Sequence, residues 1–278
     1  MTEESAVSKS IKPAPNILTE TTAAQRYGVA LYTLLYKEIN RFLRIWVQTL
    51  LPPAITMALY FVIFGHLIGS RIGEVGGFDY MQYIVPGLVM MSVITNAYAN
   101  VSSSFFSAKF QRSVEELLVS PMPSWIIVIG YVAGGIARGL AVGIIVLCMS
   151  LFFTKLSVAH PFIMFVTLIL TAAVFSLGGF INAMYANKFD DISIIPTFVL
   201  TPLTYLGGVF YSITMLPDFW QTASLANPIV YMVGSFRYGI LGVEEVPLTL
   251  SLILLSGLTI GLFVLALTLF TKGKGIRS

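Results

Sequence analysis

Residues 125–153 read WIIVIGYVAGGIARGLAVGIIVLCMSLFF, a continuous apolar run with a single charged residue, Arg138. A helix needs roughly 20 apolar residues to cross about 30 Å of hydrocarbon, so this run is long enough to span a membrane. Five further segments have the same character. The six predicted spans are residues 50–69, 84–101, 125–153, 162–186, 192–211 and 248–270.

The composition of the whole chain agrees with a membrane protein. Hydrophobic residues make up 56% and charged residues 10% of the sequence, with a mean hydropathy of +0.86, whereas about one-quarter of an average soluble domain is charged. We predict a disordered cytoplasmic tail at residues 1–25, an amphipathic connecting helix at 26–46, a six-span membrane domain at 47–270 and a basic cytoplasmic tail at 271–278. The net charge of +3 is too small to indicate a nucleic-acid partner.

Basic residues flank the spans unevenly. If the amino terminus is inside, nine lie at the inner flanks: Lys37, Arg41, Arg44, Lys109, Arg112, Lys188, Lys272, Lys274 and Arg277. The outer flanks hold only Arg71, Lys155 and Arg237. Because cytoplasmic loops carry the excess of Lys and Arg, both termini are predicted to be cytoplasmic, which requires an even number of crossings.

The apolar part of the stretch 212–247 is too short for a seventh crossing and is interrupted by Arg237. Asn227-Pro228 divides the stretch, since a proline disfavours helical geometry in the residue before it. We predict two short helices that enter the outer face, return, and pack on spans five and six, with Arg237 near the headgroups or paired with Glu244 or Glu245. The predicted fold is an all-α integral membrane protein with six transmembrane helices, an amino-terminal amphipathic interfacial helix and a re-entrant outer helical hairpin between spans five and six.

An amphipathic pattern precedes the first span. Its apolar residues recur at steps of three and four: Tyr32, Leu35, Tyr36, Ile39, Phe42, Leu43 and Trp46. The other face is polar and basic, with Thr33, Lys37, Asn40, Arg41 and Arg44. Such a helix suits the inner headgroup region. The alternative is that these residues simply begin a long first span.

The chain carries no group that would drive chemistry or transport by itself. It has no G-x-x-x-x-G-K-[ST] loop for nucleotide phosphates, and His66 and His160 lie too far apart in sequence to show metal-ligand spacing. Every Asp and Glu falls in a tail, a loop or at a span end, whereas ion-coupled carriers usually place carboxylates within their spans. The sequence therefore predicts no enzyme, no proton or sodium coupling, and no metal or cofactor in this chain.

The loop between spans two and three, FFSAKFQRSVEELLVSPMP at residues 105–123, holds the most specific local signal. Ser113 followed by Glu116 predicts a capping box that starts a short helix, and Pro121 stops that helix. Its charged residues are Lys109, Arg112, Glu115 and Glu116. A helix of this kind packs into a groove on a partner or remains a solvated loop helix.

Polar residues recur at helical spacing in two spans. Span two carries Ser92, Asn96, Asn100 and Ser103, and span five carries Thr197, Thr201, Thr204 and Tyr205. Because polar groups facing lipid lose hydrogen bonds, both stripes should face protein or a wet cavity, either as interhelical contacts or as a substrate path. In span three, Gly135, Gly139 and Gly143 predict close helix packing, and Arg138 requires an anion, carbonyls or water as its partner.

These features together resemble the permeases of bacterial type-2 ATP-binding-cassette (ABC) exporters. The residues that carry the resemblance are the amphipathic amino-terminal helix, RSVEELLVSPMP at 112–123, and LANPIVY at 225–231 running on to Arg237. The resemblance covers nearly the whole chain and is nearest to small Gram-negative inner-membrane permeases encoded beside their own ATPase. It implies a multi-pass protein of the bacterial inner membrane, in contact with its lipids, that forms a homodimer on two copies of a cytoplasmic ABC ATPase, and that this ATPase binds the ATP and Mg²⁺.

The resemblance also implies roles for individual residues. The ATPase contacts would come from the amino-terminal helix and the loop after span two: Lys37, Arg41, Lys109, Arg112, Glu115 and Glu116. The polar stripes of spans two and five would line the path, and the outer gate would include Asn227, Pro228, Tyr231 and Arg237. Members of this family export polysaccharides, lipids, drugs or peptides, so the expected substrate is amphipathic or hydrophobic: a lipid, a glycan or a drug-like molecule.

Two other functions are compatible with the sequence. A secondary carrier or channel would be active without ATP coupling, and a membrane scaffold would recruit a cytoplasmic partner without transport. An ATPase that copurifies with the chain, with activity lost on disrupting residues 112–121, would favour the exporter.

Overall fold

The computed structural model describes residues 22–273 and residue 275, and this part of the chain is mostly helical. Helix α1 (Ala23–Arg44) begins at a capping box, in which Thr22 Oγ accepts from the Gln25 N–H and the Gln25 side chain accepts from the Thr22 N–H. This reciprocal pair satisfies two backbone donors, so α1 starts ahead of the predicted boundary at residue 26. Residues 1–21 of the predicted tail, together with Lys274 and Arg277, lie outside the described residues.

The remaining elements follow in chain order. They are α2 (Trp46–Ile72), β1 (Glu74–Val75), β2 (Phe78–Asp79), α3 (Tyr80–Phe110), α4 (Ser113–Val119), α5 (Ser124–Ser150), α6 (Pro161–Tyr185), α7 (Asp191–Ile195, Pro196–Leu200 and Thr201–Tyr205), α8 (Asp218–Leu225), α9 (Pro228–Leu241) and α10 (Leu248–Thr271). Five of them, α2, α3, α5, α6 and α10, are long and apolar enough to cross a membrane. They correspond to predicted spans one, two, three, four and six.

The predicted fifth span is shorter than expected. Helix α7 consists of three stretches of five residues, of which the middle one, Pro196–Leu200, is π-helical. Its helical length is about 22 Å at 1.5 Å per residue, less than the roughly 30 Å of hydrocarbon. The chain leaves helical geometry after Tyr205 and turns through Gly208, whose φ is +72°.

Helix α3 lies at the centre of the bundle and packs most extensively on α6 and α5. The glycines of α5 permit this approach, as predicted. A Cβ added at Gly139 would lie 3.1 Å from the Ala97 Cβ of α3, and one at Gly143 would lie 2.9 Å from Val93. Nearer the start of α5, Gly134 lies under Glu38 of α1. The glycine series therefore seats α1 and α3 on α5.

The outer segment forms two short helices, α8 and α9, divided at Asn227 as predicted. The main packing partners of α9 are α6, α10 and α3. Packing on α10, which is span six, is as predicted, whereas α6 and α3 take the place that we expected for span five. The closest approach is to α6, where Gly239 meets the backbone of Met164. Because Gly239 has no side chain to hold the helices apart, α9 lies against span four.

Candidate functional site

Helix α4 forms a compact projection between α3 and α5. It extends over Ser113–Val119 and ends ahead of Pro121, in agreement with the sequence. Val114 is buried in the bundle, whereas Glu115 and Glu116 are exposed and Val119 is 87% exposed. The free face therefore combines two carboxylates with an aliphatic side chain, a composition that suits docking on a partner groove.

The capping box predicted at the start of α4 is wrong. The N-cap is Arg112, which adopts a left-handed conformation with φ of 60°. The Ser113 hydroxyl donates to the Ala108 carbonyl at 3.1 Å instead of accepting from the backbone of Glu116. The chain turns so sharply between α3 and α4 that Ser113 lies beside the last turn of α3. There the Ala108 carbonyl, which has no partner within the helix, accepts the hydrogen bond.

Lys109 has internal partners. Its Nζ donates to the carbonyls of Met184 at 2.7 Å and Ala186 at 2.8 Å. These carbonyls lie at the carboxyl end of α6, where a cation interacts favourably with the helix dipole. Lys109 therefore joins α3 to α6, whereas the resemblance implied a contact with the ATPase.

The face by which α1 packs on the bundle shares only Phe42 with the predicted apolar face. Leu34, Glu38 and Phe42 are buried, at steps of four along one side of the helix. Tyr32 and Trp46 of the predicted apolar face are more than half exposed. The difference arises because α1 packs by shape on the glycines of α5, and a charged residue stands at the centre of that face.

Glu38 and Arg41 of α1 bind α3 directly. The Ser104 hydroxyl lies 2.8 and 2.7 Å from the two carboxylate oxygens of Glu38. Arg41 Nη2 donates to the Asn100 carbonyl at 3.0 Å and to its Oδ1 at 2.8 Å, and Arg41 Nε lies 3.4 Å from Glu38. Glu38 is 1% exposed, so these partners offset the cost of burying its charge. Arg41 thus serves in interhelical contact on the side predicted to meet the ATPase.

Arg138 has the kind of partner that its depth requires. Its Nη2 donates to the Thr49 carbonyl at 3.2 Å and to Asn96 Oδ1 at 3.1 Å. The guanidinium therefore links α5 to α2 and α3. Neutral oxygens replace water around the charge, as expected for an arginine within a span.

The polar stripe of span two is placed differently from the predicted path. Ser92, Asn96 and Asn100 are buried within the subunit, and the two amide oxygens accept from the arginines of α5 and α1 described above. Ser103 is partly exposed and donates to the Ala99 carbonyl at 2.7 Å. The stripe is buried because arginines on the neighbouring helices bind its amide groups.

The polar residues of α7 lie mostly on the surface of the subunit. Thr197, Thr201 and Tyr205 are exposed. Thr204 is buried, and its hydroxyl donates to the carbonyl four residues earlier. The Tyr205 hydroxyl lies 3.3 Å from that of Tyr60 on α2. The Thr201 hydroxyl donates to the Pro196 carbonyl at 2.9 Å. Thr197, Thr201 and Tyr205 therefore lie at the surface of the subunit, and two of them have hydrogen-bond partners within it.

A buried ion pair holds the outer segment together. Arg237 of α9 is 1% exposed, and its Nη1 donates to Glu245 Oε2 at 2.5 Å, one of the two predicted pairings. Its Nη2 donates to the Gly208 carbonyl at 2.8 Å, and its guanidinium carbon lies 4.0 Å from the Tyr83 ring centroid. Glu245 Oε1 also accepts from the hydroxyls of Tyr83 and Ser212. The cluster joins α9 to α3, to the loop after α7 and to the segment before α10.

The other predicted gate residues shape the turn between α8 and α9. The Asn227 side chain caps α9 by accepting from the Ile229 N–H at 3.0 Å, and it donates to the Leu203 carbonyl of α7 at 2.6 Å. Pro228 occupies the first turn of α9. The Tyr231 hydroxyl donates to the Leu225 carbonyl at 2.9 Å. These contacts fix the hairpin internally and to α7.

Four side chains of these networks are missing from the sequence predictions: Glu38, Ser104, Tyr83 and Ser212. Glu38 lies four residues after Leu34 and four before Phe42, so its spacing could have marked it as part of the buried face. Tyr83 is an aromatic residue directly before predicted span two, a common interfacial position. No signal in the sequence identifies Ser212.

Comparison with known proteins gives a consistent family match. A family model described as ABC-2 type transporter matches residues 29–241. The chain is 60% identical over 252 residues to the inner membrane transport permease YadH of Escherichia coli K12, covering 91% of this chain and 98% of the relative. It is also 27% identical over 190 residues to nodulation protein J of Rhizobium leguminosarum bv. trifolii, covering 66% and 71% of the two chains.

Proposed function

Because this chain belongs to the ABC-2 type transporter family, we propose that it is the permease of an exporter powered by ATP hydrolysis on a separate ABC ATPase. Permeases of this family normally pair with such an ATPase. The ATP and Mg²⁺ would be bound by that partner.

The exposed face of α4 is the observation that best supports ATP coupling. Arg112, Glu115, Glu116 and Val119 are accessible, while Val114 anchors the helix in the bundle. A short helix that is packed into the bundle on one side and charged on its exposed side can couple a movement of a docked partner to α3 and α5. We assign the coupling surface to these four exposed residues, because Lys109 and Arg41 have partners inside the subunit. Lys37 is exposed on α1, and its contact with the ATPase stays a prediction.

We propose a six-span topology with both termini in the cytoplasm of a bacterium and the spans in its inner membrane. Helix α7 would be the fifth span, completed by the turns after Tyr205. Helix α9 has 14 residues, about 21 Å, too few to cross, which supports a re-entrant outer hairpin with α8. The excess of basic residues on the inner flanks supports this orientation.

We further propose that two subunits form a homodimer around the substrate path. The exposed groups of α7, namely Thr197, Thr201 and Tyr205, would line this path, where polar side chains are more favourable than against lipid. An amphipathic or hydrophobic cargo, such as a lipid, a glycan or a drug-like molecule, fits a path of threonine and tyrosine side chains. The outer hairpin would cover its far end.

Charge reversal on α4 tests the coupling. The double variant Glu115→Lys and Glu116→Lys should lower cargo-stimulated ATP hydrolysis by the copurified complex about tenfold or more. The two carboxylates would face a basic surface on the ATPase, and lysines in their place would repel that surface and oppose docking. The matched control is Glu74→Lys with Asp79→Lys, two exposed acidic residues in the loop before α3. Equal hydrolysis in wild type and the α4 variant, with normal membrane insertion, would remove α4 from the mechanism.

A further inference from the structure

A basic groove runs along the exposed flank of α1. Its volume is about 840 Å³, and its lining includes Tyr36, Lys37, Asn40, Arg41, Leu43 and Arg44. Lys37, Arg41 and Arg44 stand at successive steps of four and three, so their charges fall on one side of the helix. Tyr36 and Leu43 are exposed beside them. The groove therefore combines three cations with an adjoining apolar edge.

Arg41 is held in place at the base of this groove. Its Nε and Nη2 face Glu38 and Asn100, both of which are at most 1% exposed. Within the part of the chain that the structure describes, its Nη1 has no protein partner, and 30% of the side chain is exposed. A fixed guanidinium with a free donor is preorganised for an anionic oxygen.

The two neighbouring cations are also available. Among the described residues, neither Lys37 nor Arg44 lies within 4.0 Å of a carboxylate, and both are exposed. Three clustered positive charges, with a net charge of +2 after Glu38 is counted, favour a ligand with a phosphate group. The adjoining Tyr36 and Leu43 favour a ligand that also carries an acyl chain.

We propose that this groove binds the phosphate of an anionic phospholipid in the inner leaflet, with Lys37, Arg41 and Arg44 around the headgroup and the acyl chains along Tyr36 and Leu43. The location in the inner leaflet rests on the proposed topology. Through Arg41, a bound phosphate would contact the buried network of α1 and α3 and strengthen the seating of α1 on the bundle.

Lipid retention by the full-length chain in detergent, measured by native mass spectrometry, tests this site without an ATPase or a cargo. Phosphatidylglycerol, phosphatidylcholine and inorganic phosphate are titrated separately. We expect phosphatidylglycerol to bind at least tenfold better than phosphatidylcholine. The variant Lys37→Gln with Arg44→Gln should weaken that binding about tenfold or more, since each basic residue near an anionic surface contributes roughly fivefold. Arg41 is left in place because it also bonds to α3.

The control Arg71→Gln with Lys155→Gln removes the same charge from two exposed positions elsewhere and should retain phosphatidylglycerol normally. Equal loss in this control, or equal binding of the two lipids, would overturn the site. Displacement of the lipid by an equal concentration of inorganic phosphate would assign the groove to free anions. In a separate isolation from membranes, unchanged lipid binding by the variant together with loss of a copurifying ATPase would overturn the lipid site and assign the groove to the protein partner. The lipid titration does not depend on ATP coupling, so failure of the lipid site leaves the exporter proposal standing.

Discussion

Removing the Glu245 carboxylate should strongly destabilise the outer segment, because it breaks a buried ion pair. In the wild type, Glu245 accepts hydrogen bonds from Arg237, Tyr83 and Ser212. Glu245→Ala leaves the guanidinium of Arg237 buried with only the Gly208 carbonyl and the Tyr83 ring nearby. Breaking one partner of a buried ion pair costs about 3–5 kcal/mol, because the remaining charge is uncompensated.

A double-mutant cycle of Arg237→Met and Glu245→Leu, each measured alone and in combination, separates this pairing from ordinary side-chain packing. Arg237→Met with Glu245→Leu removes both charges and retains much of the volume, so we expect it to lose less stability than Glu245→Ala, by at least about 2 kcal/mol. Glu245→Gln keeps the shape and some hydrogen bonds, and should fall between wild type and Glu245→Ala. Exposed Glu244 is the neighbouring control: its carboxylate accepts from the Leu248 N–H at 2.9 Å, so Glu244→Ala should cost about 0.5–1.5 kcal/mol, well below Glu245→Ala.

The measurement is the free energy of unfolding in mixed micelles titrated with a denaturing detergent. Tryptophan fluorescence provides the signal, since Trp220 lies in α8 of the outer segment. Stability of Glu245→Ala within about 1 kcal/mol of wild type would refute the buried pair, as would effects of the two single changes that simply add.

Three further outcomes follow from the packing and the proposed topology. Gly87→Ala should destabilise the protein by about 1–3 kcal/mol in thermal unfolding, because its Cβ would lie 2.3 Å from a carbonyl oxygen of the loop after α7. The control Gly261→Ala, whose Cβ would meet no atom within 4 Å, should not destabilise the protein. In a cysteine-free background, a cysteine at Thr201 should crosslink between subunits, and one that reacts only with lipid-soluble reagents would contradict the proposed path. Cysteines at Asp218 and Glu244 should both react with an impermeant reagent added from the periplasmic side; labelling of only one would mean that the segment between them crosses the membrane.

The helical layout could be predicted because it depends on local properties of the sequence. Long apolar runs identify α2, α3, α5, α6 and α10, because a helix of about 20 apolar residues matches the thickness of the hydrocarbon layer. Pro121 and Pro228 locate the end of α4 and the start of α9, because proline acts on the backbone within one turn. Helix α7 is shorter than predicted because the chain leaves helical geometry after Tyr205 and turns at Gly208, whose φ is +72°. Hydropathy does not detect this turn, since the residues around it are apolar.

The polar contacts could be predicted only in part. Arg138 required oxygen partners, but which helices would supply them depends on packing over a long sequence separation. The polar stripe of α3 was compatible with a path or with interhelical bonds, and arginines on α1 and α5 decide in favour of bonds within the subunit. Hydrophobicity alone does not predict that Glu38 is buried, because its burial depends on Gly134 of α5 and on Ser104 of α3 together.

Isolation of the tagged chain from bacterial membranes, followed by native mass spectrometry of the intact complex, tests whether the permease functions with an ABC ATPase. We expect a species containing two copies of this 30.4 kDa chain and two copies of one ABC ATPase, which dissociates into permease and ATPase when the α4 contacts are disrupted. A chain recovered only by itself, as monomer or dimer and without any ABC ATPase, from membranes in which transport is intact would contradict it.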